Sequence, residues 1–159
     1  MIQRKQTIYL FFAGLITIIL LFIPFGNLEI EGVPCLQYGA FSVKTITEKV
    51  IIASTIGNAL LLIASAALSF ITIFLYKNRR LQVTLISVNM LVILFAIITI
   101  LYVYPKFVFP RIANPNFYYA ILRWDFTFLI CFIPPLGLYF AKKSIHNDEA
   151  MLRSADRLR

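Results

Sequence analysis

The chain alternates four long apolar runs with shorter polar connections. Residues 7–25, 50–76 and 83–104 contain no charged side chain, and a fourth run, 120–141, includes Arg123 and Asp125. A helix of about 20 apolar residues, rising about 1.5 Å per residue, crosses a hydrocarbon core of about 30 Å. The pattern therefore predicts an all-α membrane protein, a four-transmembrane-helix bundle forming a single integral membrane domain over residues 1–159.

The connections are polar and rich in turn-forming residues. Residues 26–49 and 105–119 are expected to form two outer loops, with a short basic turn between the second and third spans. Residues 28–33 and 37–43 flank a proline-containing turn, which is compatible with a β-hairpin in the first outer loop. In the charged tail, 142–159, Asn147 is a good N-cap and acidic residues follow it, which predicts a short amphipathic C-terminal helix.

Composition and charge give the environment and the orientation. The chain is 60% hydrophobic and 14% charged, whereas a soluble domain has about a quarter charged residues. Most of its 15 lysines and arginines fall on one side of the predicted bundle, and loops rich in these residues stay in the cytoplasm. Both termini are therefore predicted to be cytoplasmic. Topology accounts for the net charge of +8, so the lipid bilayer is the expected partner and nucleic acid is not.

Four polar residues within the apolar runs are candidates for intramembrane chemistry: Asn58, Asn89, Arg123 and Asp125. An amide in hydrocarbon seeks a partner on a neighbouring helix, so both asparagines are interpreted as links between helices at different depths. Residues two apart on a helix do not share a face, so Arg123 and Asp125 are not expected to pair.

Arg123 and Asp125 are the fourth and sixth residues of the fourth predicted span, close to its outer edge, and this position leaves two interpretations open. The first is structural: Arg123 reaches the lipid headgroups beside Trp124, and Asp125 pairs with a cation of a neighbouring connection, Lys49, Lys106 or Arg111. The second is functional: Asp125 faces the bundle interior and carries protons or cations, as intramembrane acids often do.

The sequence contains no familiar catalytic motif. Cys35 and Cys131 are expected to lie at different membrane depths, and two cysteines with one histidine cannot complete a metal site. No nucleophile elbow or phosphate-binding glycine loop is found. We therefore expect no cofactor, no metal and no soluble-type enzyme, while a membrane-embedded enzyme would have a subtler signature.

Three segments, "MIQRKQTIYL", "LYKNRRLQ" and "DEAMLRSADRLR", lie at the inner edges of the predicted spans. Together they resemble a family of small four-span proteins of unknown function from Bacteroidota-type Gram-negative bacteria. The resemblance implies an inner-membrane location and four spans, and it supplies no activity, ligand or catalytic residue.

The polar residues of these segments suggest one docking surface on the cytoplasmic face. Its candidate residues are Arg4, Lys77, Asn78, Arg79, Arg80, Arg153, Asp156 and Arg157. The leading hypothesis is a non-enzymatic accessory or scaffold subunit that docks a membrane or cytoplasmic protein, or another copy of the chain. The alternative is a small transporter using Asp125, Asn58 and Asn89.

Overall fold

Long helices and one antiparallel sheet make up the protein in a computed structural model, which describes residues 3–30, 33–76, 78–108 and 121–157. The helices are α1 (Gln3–Phe22), α2 (Ile56–Phe74), α3 (Arg79–Ile98), the short α4 (Thr127–Ile130) and α5 (Ile133–Arg157), and α3 continues as a π-helix over Thr99–Val108. The strands are β1 (Gly26–Ile30), β2 (Val33–Tyr38), β3 (Ser42–Thr45), β4 (Ile51–Ser54) and β5 (Ile121–Trp124).

In the described part of the chain, four helical stretches are long and apolar enough to cross a membrane by length and composition. They are Lys5–Phe22, Ile56–Phe74, Arg79–Lys106 and Thr127–Asp148. The four predicted helices are thus present with different limits. The second begins at Ile56, because residues 51–54 form β4, and the fourth begins at Thr127, because residues 121–124 form β5.

The expectation of an all-α fold is wrong, because the described residues include a five-stranded antiparallel sheet in the order β4-β3-β2-β1-β5. The hairpin expected in the first outer loop is present as β1 and β2, but Pro34 lies within β2, opposite Glu29 at a register shift. Strands β4 and β5 were not predicted, because both lie within apolar runs that were assigned to helices. A short apolar strand next to an apolar helix cannot be distinguished from it by hydropathy.

The sheet lies at one end of the helix bundle, which we call the sheet end. The opposite end, where α1 and α3 begin and α2 and α5 finish, carries Lys5, Arg79, Arg80, Lys142 and Lys143, and we call it the basic end. A hydrogen bond from Gln6 Nε2 to the Asp148 carboxylate joins the first and last helices there.

The C-terminal tail does not form a separate helix. Asn147 lies inside α5, which runs without interruption from Ile133 to Arg157, because the residues between the apolar part and the tail are all compatible with a helix. Pro134 occupies the first turn, where a missing N–H leaves no hydrogen bond unmade. Residues 131–132 form the turn between α4 and α5.

The helices pack closely inside the bundle and present apolar side chains outside it. A Cβ atom on Gly137 of α5 would lie 3.2 Å from the Cβ of Ala13 on α1, so these two helices approach closely. Outward-facing residues such as Phe74 and Leu91 remain exposed. Helices that are apolar on both their inner and outer faces suit a lipid environment.

Candidate functional site

A row of buried polar side chains follows one face of α2, and two more lie on α3. The spacing of the α2 residues places them on a shared face of the helix, and each of the six is less than 5% exposed. We call this set the polar seam: Asn58, Ser65, Ser69 and Thr72 on α2, and Gln82 and Asn89 on α3.

Hydrogen bonds join the two helices along the seam. Asn89 Nδ2 donates to Ser69 Oγ at 2.8 Å, and Ser69 Oγ donates to the Ser65 carbonyl at 3.0 Å. Nearer the basic end, Gln82 Nε2 donates to the Thr72 carbonyl at 3.4 Å. Asn89 therefore makes the link between helices that its position suggested.

Asn58 bonds to a residue of the sheet, whereas Asn89 bonds to another helix. Its Nδ2 donates to the Tyr38 hydroxyl at 2.7 Å, and that hydroxyl donates to the Ile100 carbonyl at 3.3 Å. A π-helix pairs each carbonyl with the N–H five residues later, which for Ile100 is Pro105, a residue without an N–H. Tyr38 thus supplies a donor to a carbonyl that its own helix cannot satisfy.

Sequence reasoning missed Tyr38, which is fully buried and stacks edge-on with Phe25 at 5.5 Å between ring centroids. Burial raises the pKa of its hydroxyl well above the ordinary value, and the Asn58 hydrogen bond opposes this effect more weakly. The hydroxyl therefore keeps its proton and acts as a donor at neutral pH. The one signal in the sequence was Pro105, which removes a donor from an otherwise helical run.

Three buried polar atoms of the seam have no hydrogen-bond partner among the described residues: Asn58 Oδ1, Ser65 Oγ and Asn89 Oδ1. A buried polar group without a partner costs about 1–3 kcal/mol. Such atoms are rare in native structures and call for an explanation.

Arg123 and Asp125 belong to the sheet and its margin, not to a helix. Arg123 Nη1 pairs with Glu29 Oε1 at 3.2 Å, between side chains that are 74% and 19% exposed. Asp125 accepts hydrogen bonds from Asn27 Nδ2 at 3.1 and 3.3 Å. Both contacts cross from β1 to β5 or its end, so the helical geometry expected for this pair is wrong.

The structure also gives Asp125 a partner that the sequence did not suggest. Asn27 replaces the expected cation, while Lys106 donates to the Tyr102 hydroxyl at 2.9 Å and Arg111 lies outside the described residues. Asp125, Asn58 and Asn89 therefore have three different partners. The described contacts do not bring them into one site.

At the basic end, the described side chains include three exposed cations and an exposed amide. Lys5, Asn78, Arg80 and Lys143 are exposed, and Asn78 Oδ1 accepts from the Leu81 N–H at 3.4 Å at the start of α3. Of the candidate docking residues, Lys77 and the side chains of Arg4, Arg153, Asp156 and Arg157 lie outside the described part.

The protein is a mostly helical one, in which four helical stretches are long and apolar enough to cross a membrane. An antiparallel sheet lies at one end of these helices. The chain belongs to a family described as a domain of unknown function (DUF4293), whose model matches residues 2–158. The resemblance to a family of unknown function is confirmed. No curated protein and no solved structure matches the chain.

Proposed function

We propose that this protein crosses the bacterial inner membrane four times and acts as a non-enzymatic scaffold subunit that docks a protein partner at its basic end. Four long apolar helices with exposed apolar exteriors support the membrane part of the proposal. The cations gathered at one end support a cytoplasmic position for that end.

The observation that carries the docking proposal is the length of α5. Asp148 bonds to Gln6 near the start of α1 and so fixes the relative level of the two helices. Beyond this bond α5 continues to Arg157, or about 14 Å at helical rise, while the described part of α1 reaches back to Gln3, about 5 Å. We call residues 149–157 the projecting segment.

The projecting segment is the continuation of a membrane helix, so its position relative to the bundle is restrained. A partner that binds it gains from this order, because less conformational entropy is lost on association. Its sequence includes Arg153, Asp156 and Arg157, and exposed Lys5 and Arg80 belong to the same end. This mixture suits a polar partner surface with acidic groups.

A pull-down from native membranes tests the proposal. Tagged full-length protein is compared with a variant ending at Asp148, and with Lys44→Gln/Lys49→Gln as a matched charge control at the sheet end. We expect a stoichiometric protein that is captured by the full chain and the control but lost from the truncated chain. Equal capture by the truncated chain, or no stable partner, would contradict docking at this end.

Orientation is tested separately by cysteine labelling in intact cells. An impermeant thiol reagent is compared with a permeant one on Ser154→Cys and on Thr47→Cys, both in a background lacking Cys35 and Cys131. The proposal expects Ser154→Cys to react with the permeant reagent alone and Thr47→Cys to react with both. Labelling of Ser154→Cys from outside would exclude the proposed orientation.

A small transporter is the second candidate function, favoured by the three atoms of the polar seam that have no described partner. It predicts that Asn58→Leu and Asn89→Leu abolish complementation of a deletion strain, while truncation after Asp148 is harmless. The scaffold proposal expects the reverse, provided that the leucine variants reach the membrane in normal amount.

A further inference from the structure

The hydroxyl groups that Asn58 and Asn89 contact already donate their protons elsewhere. Tyr38 donates to the Ile100 carbonyl, so Asn58 meets it with its NH₂ group. Ser69 donates to the Ser65 carbonyl, so Asn89 also meets its partner with NH₂. In both asparagines the carbonyl oxygen is therefore the atom without a described partner.

Ser65 differs from the other helical hydroxyls around it. A buried serine or threonine in a helix commonly donates to the carbonyl four residues earlier, and Ser69, Thr72 and Ser87 all do so. Ser65 does not, although it is fully buried, and its Oγ has no partner among the described residues. Its hydroxyl is thus available as both donor and acceptor.

Hydrogen bonds through Ser69 connect Asn89 with Ser65. Asn89 Nδ2 lies 2.8 Å from Ser69 Oγ, and that oxygen lies 3.0 Å from the Ser65 carbonyl. We propose that Ser65 and Asn89 form a buried binding site for water between α2 and α3. This inference goes beyond the proposed function, since it concerns the interior of the bundle and not its basic end.

Water fits the chemistry of the site. It has two donors for the Asn89 carbonyl and the Ser65 oxygen, and a buried water typically makes two to four hydrogen bonds to groups that would otherwise lack a partner. A bound cation fits less well, because the seam contains no carboxylate to neutralise it and an uncompensated buried charge is costly. Water removes the cost of two buried polar atoms at once.

X-ray radiolytic labelling in lipid nanodiscs tests the proposal, because bound water yields hydroxyl radicals that oxidise adjacent side chains even where bulk solvent is absent. Ile86 and Ile93 lie one turn on either side of Asn89, and both are fully buried. Leu138 on α5 is equally buried and serves as the reference. We expect Ile86 and Ile93 to be oxidised several-fold faster than Leu138.

Variants identify the residues responsible. Ser65→Ala should reduce the labelling of Ile93 several-fold, while Ser87→Ala, the same change on α3 outside the seam, should leave it unchanged. If Ser65→Ala does not fold, the wild-type comparison remains decisive. Labelling of Ile86 and Ile93 no faster than that of Leu138 would overturn the proposal, as would Ile93 labelling unaffected by a folded Ser65→Ala variant.

Discussion

The two ends of the bundle are held together in different ways. At the sheet end, Tyr38 joins a strand, α2 and the π-helix, and Thr55 Oγ1 donates to the carbonyls of Gly39 and Ala40 at 2.8 and 3.1 Å. At the basic end, the described side-chain links between helices include Gln6–Asp148 and Lys142–Ser87.

The difference suggests a division of roles. At the sheet end the links join fully buried groups, namely Tyr38, Asn58 and Thr55, so a change there should affect stability before it affects anything else. The basic end carries exposed cations and the projecting segment, so changes there should affect the proposed binding with little cost in stability. The following four predictions test this comparison.

Replacing Tyr38 should have the largest effect. Tyr38→Ala removes a fully buried aromatic side chain, which typically costs about 3–5 kcal/mol. Tyr38→Phe keeps the ring but leaves the Ile100 carbonyl without its donor, and should cost about 1–3 kcal/mol. Unfolding in detergent by graded SDS measures both costs, and a Tyr38→Phe variant as stable as the wild type would show that the hydroxyl contributes nothing.

Gly26→Ala should have an intermediate effect, because β1 and β5 are very close at this position. An added Cβ would lie 2.6 Å from the Arg123 carbonyl oxygen, so the strands would have to separate. Overpacking of this kind costs about 1–3 kcal/mol. The same unfolding assay measures it, with Gly39→Ala as control, since there the nearest atom is at 3.6 Å.

Alkaline pH should weaken the sheet end through Tyr38. Burial holds the pKa of this hydroxyl above its unfolded value of about 10. The contribution of the protonated hydroxyl to the free energy of unfolding is therefore complete below about pH 10 and is lost as the pH rises further. The slope from one such group is at most about 1.4 kcal/mol per pH unit. The SDS unfolding midpoint, measured from pH 9 to 11.5, should fall more steeply with pH in the wild type than in Tyr38→Phe. Parallel plots of midpoint against pH would contradict this.

Neutralising the exposed charges should have the smallest effect on stability. Lys5→Gln, Arg80→Gln and Lys143→Gln should each change the free energy of unfolding by no more than about 0.5 kcal/mol. Arg123→Gln at the sheet end breaks a largely exposed ion pair and should cost about 0–1 kcal/mol. A large loss from the basic-end variants would show that this end also stabilises the fold, and would break the contrast.

The candidate sites could be predicted from sequence in part. Asn89 was expected to link helices and does so, because an amide in a long apolar run has few other ways to be satisfied. Tyr38 was not recognised, since its role depends on a carbonyl in another segment of the chain. Arg123 and Asp125 were recognised as unusual, but their partners Glu29 and Asn27 became evident only when β1 and β5 paired.

What the sequence determined by itself is local. Helical hydrogen bonds form within a segment, so the length and polarity of each apolar run were enough to predict four helices and the position of their basic residues. Tertiary structure decided the rest. Arg123 and Glu29 are 94 residues apart in the chain, and no local pattern reports strand pairing over such a distance. Tertiary structure likewise brings Gln6 of α1 to Asp148, close to the point where the sequence suggested that a new helix begins.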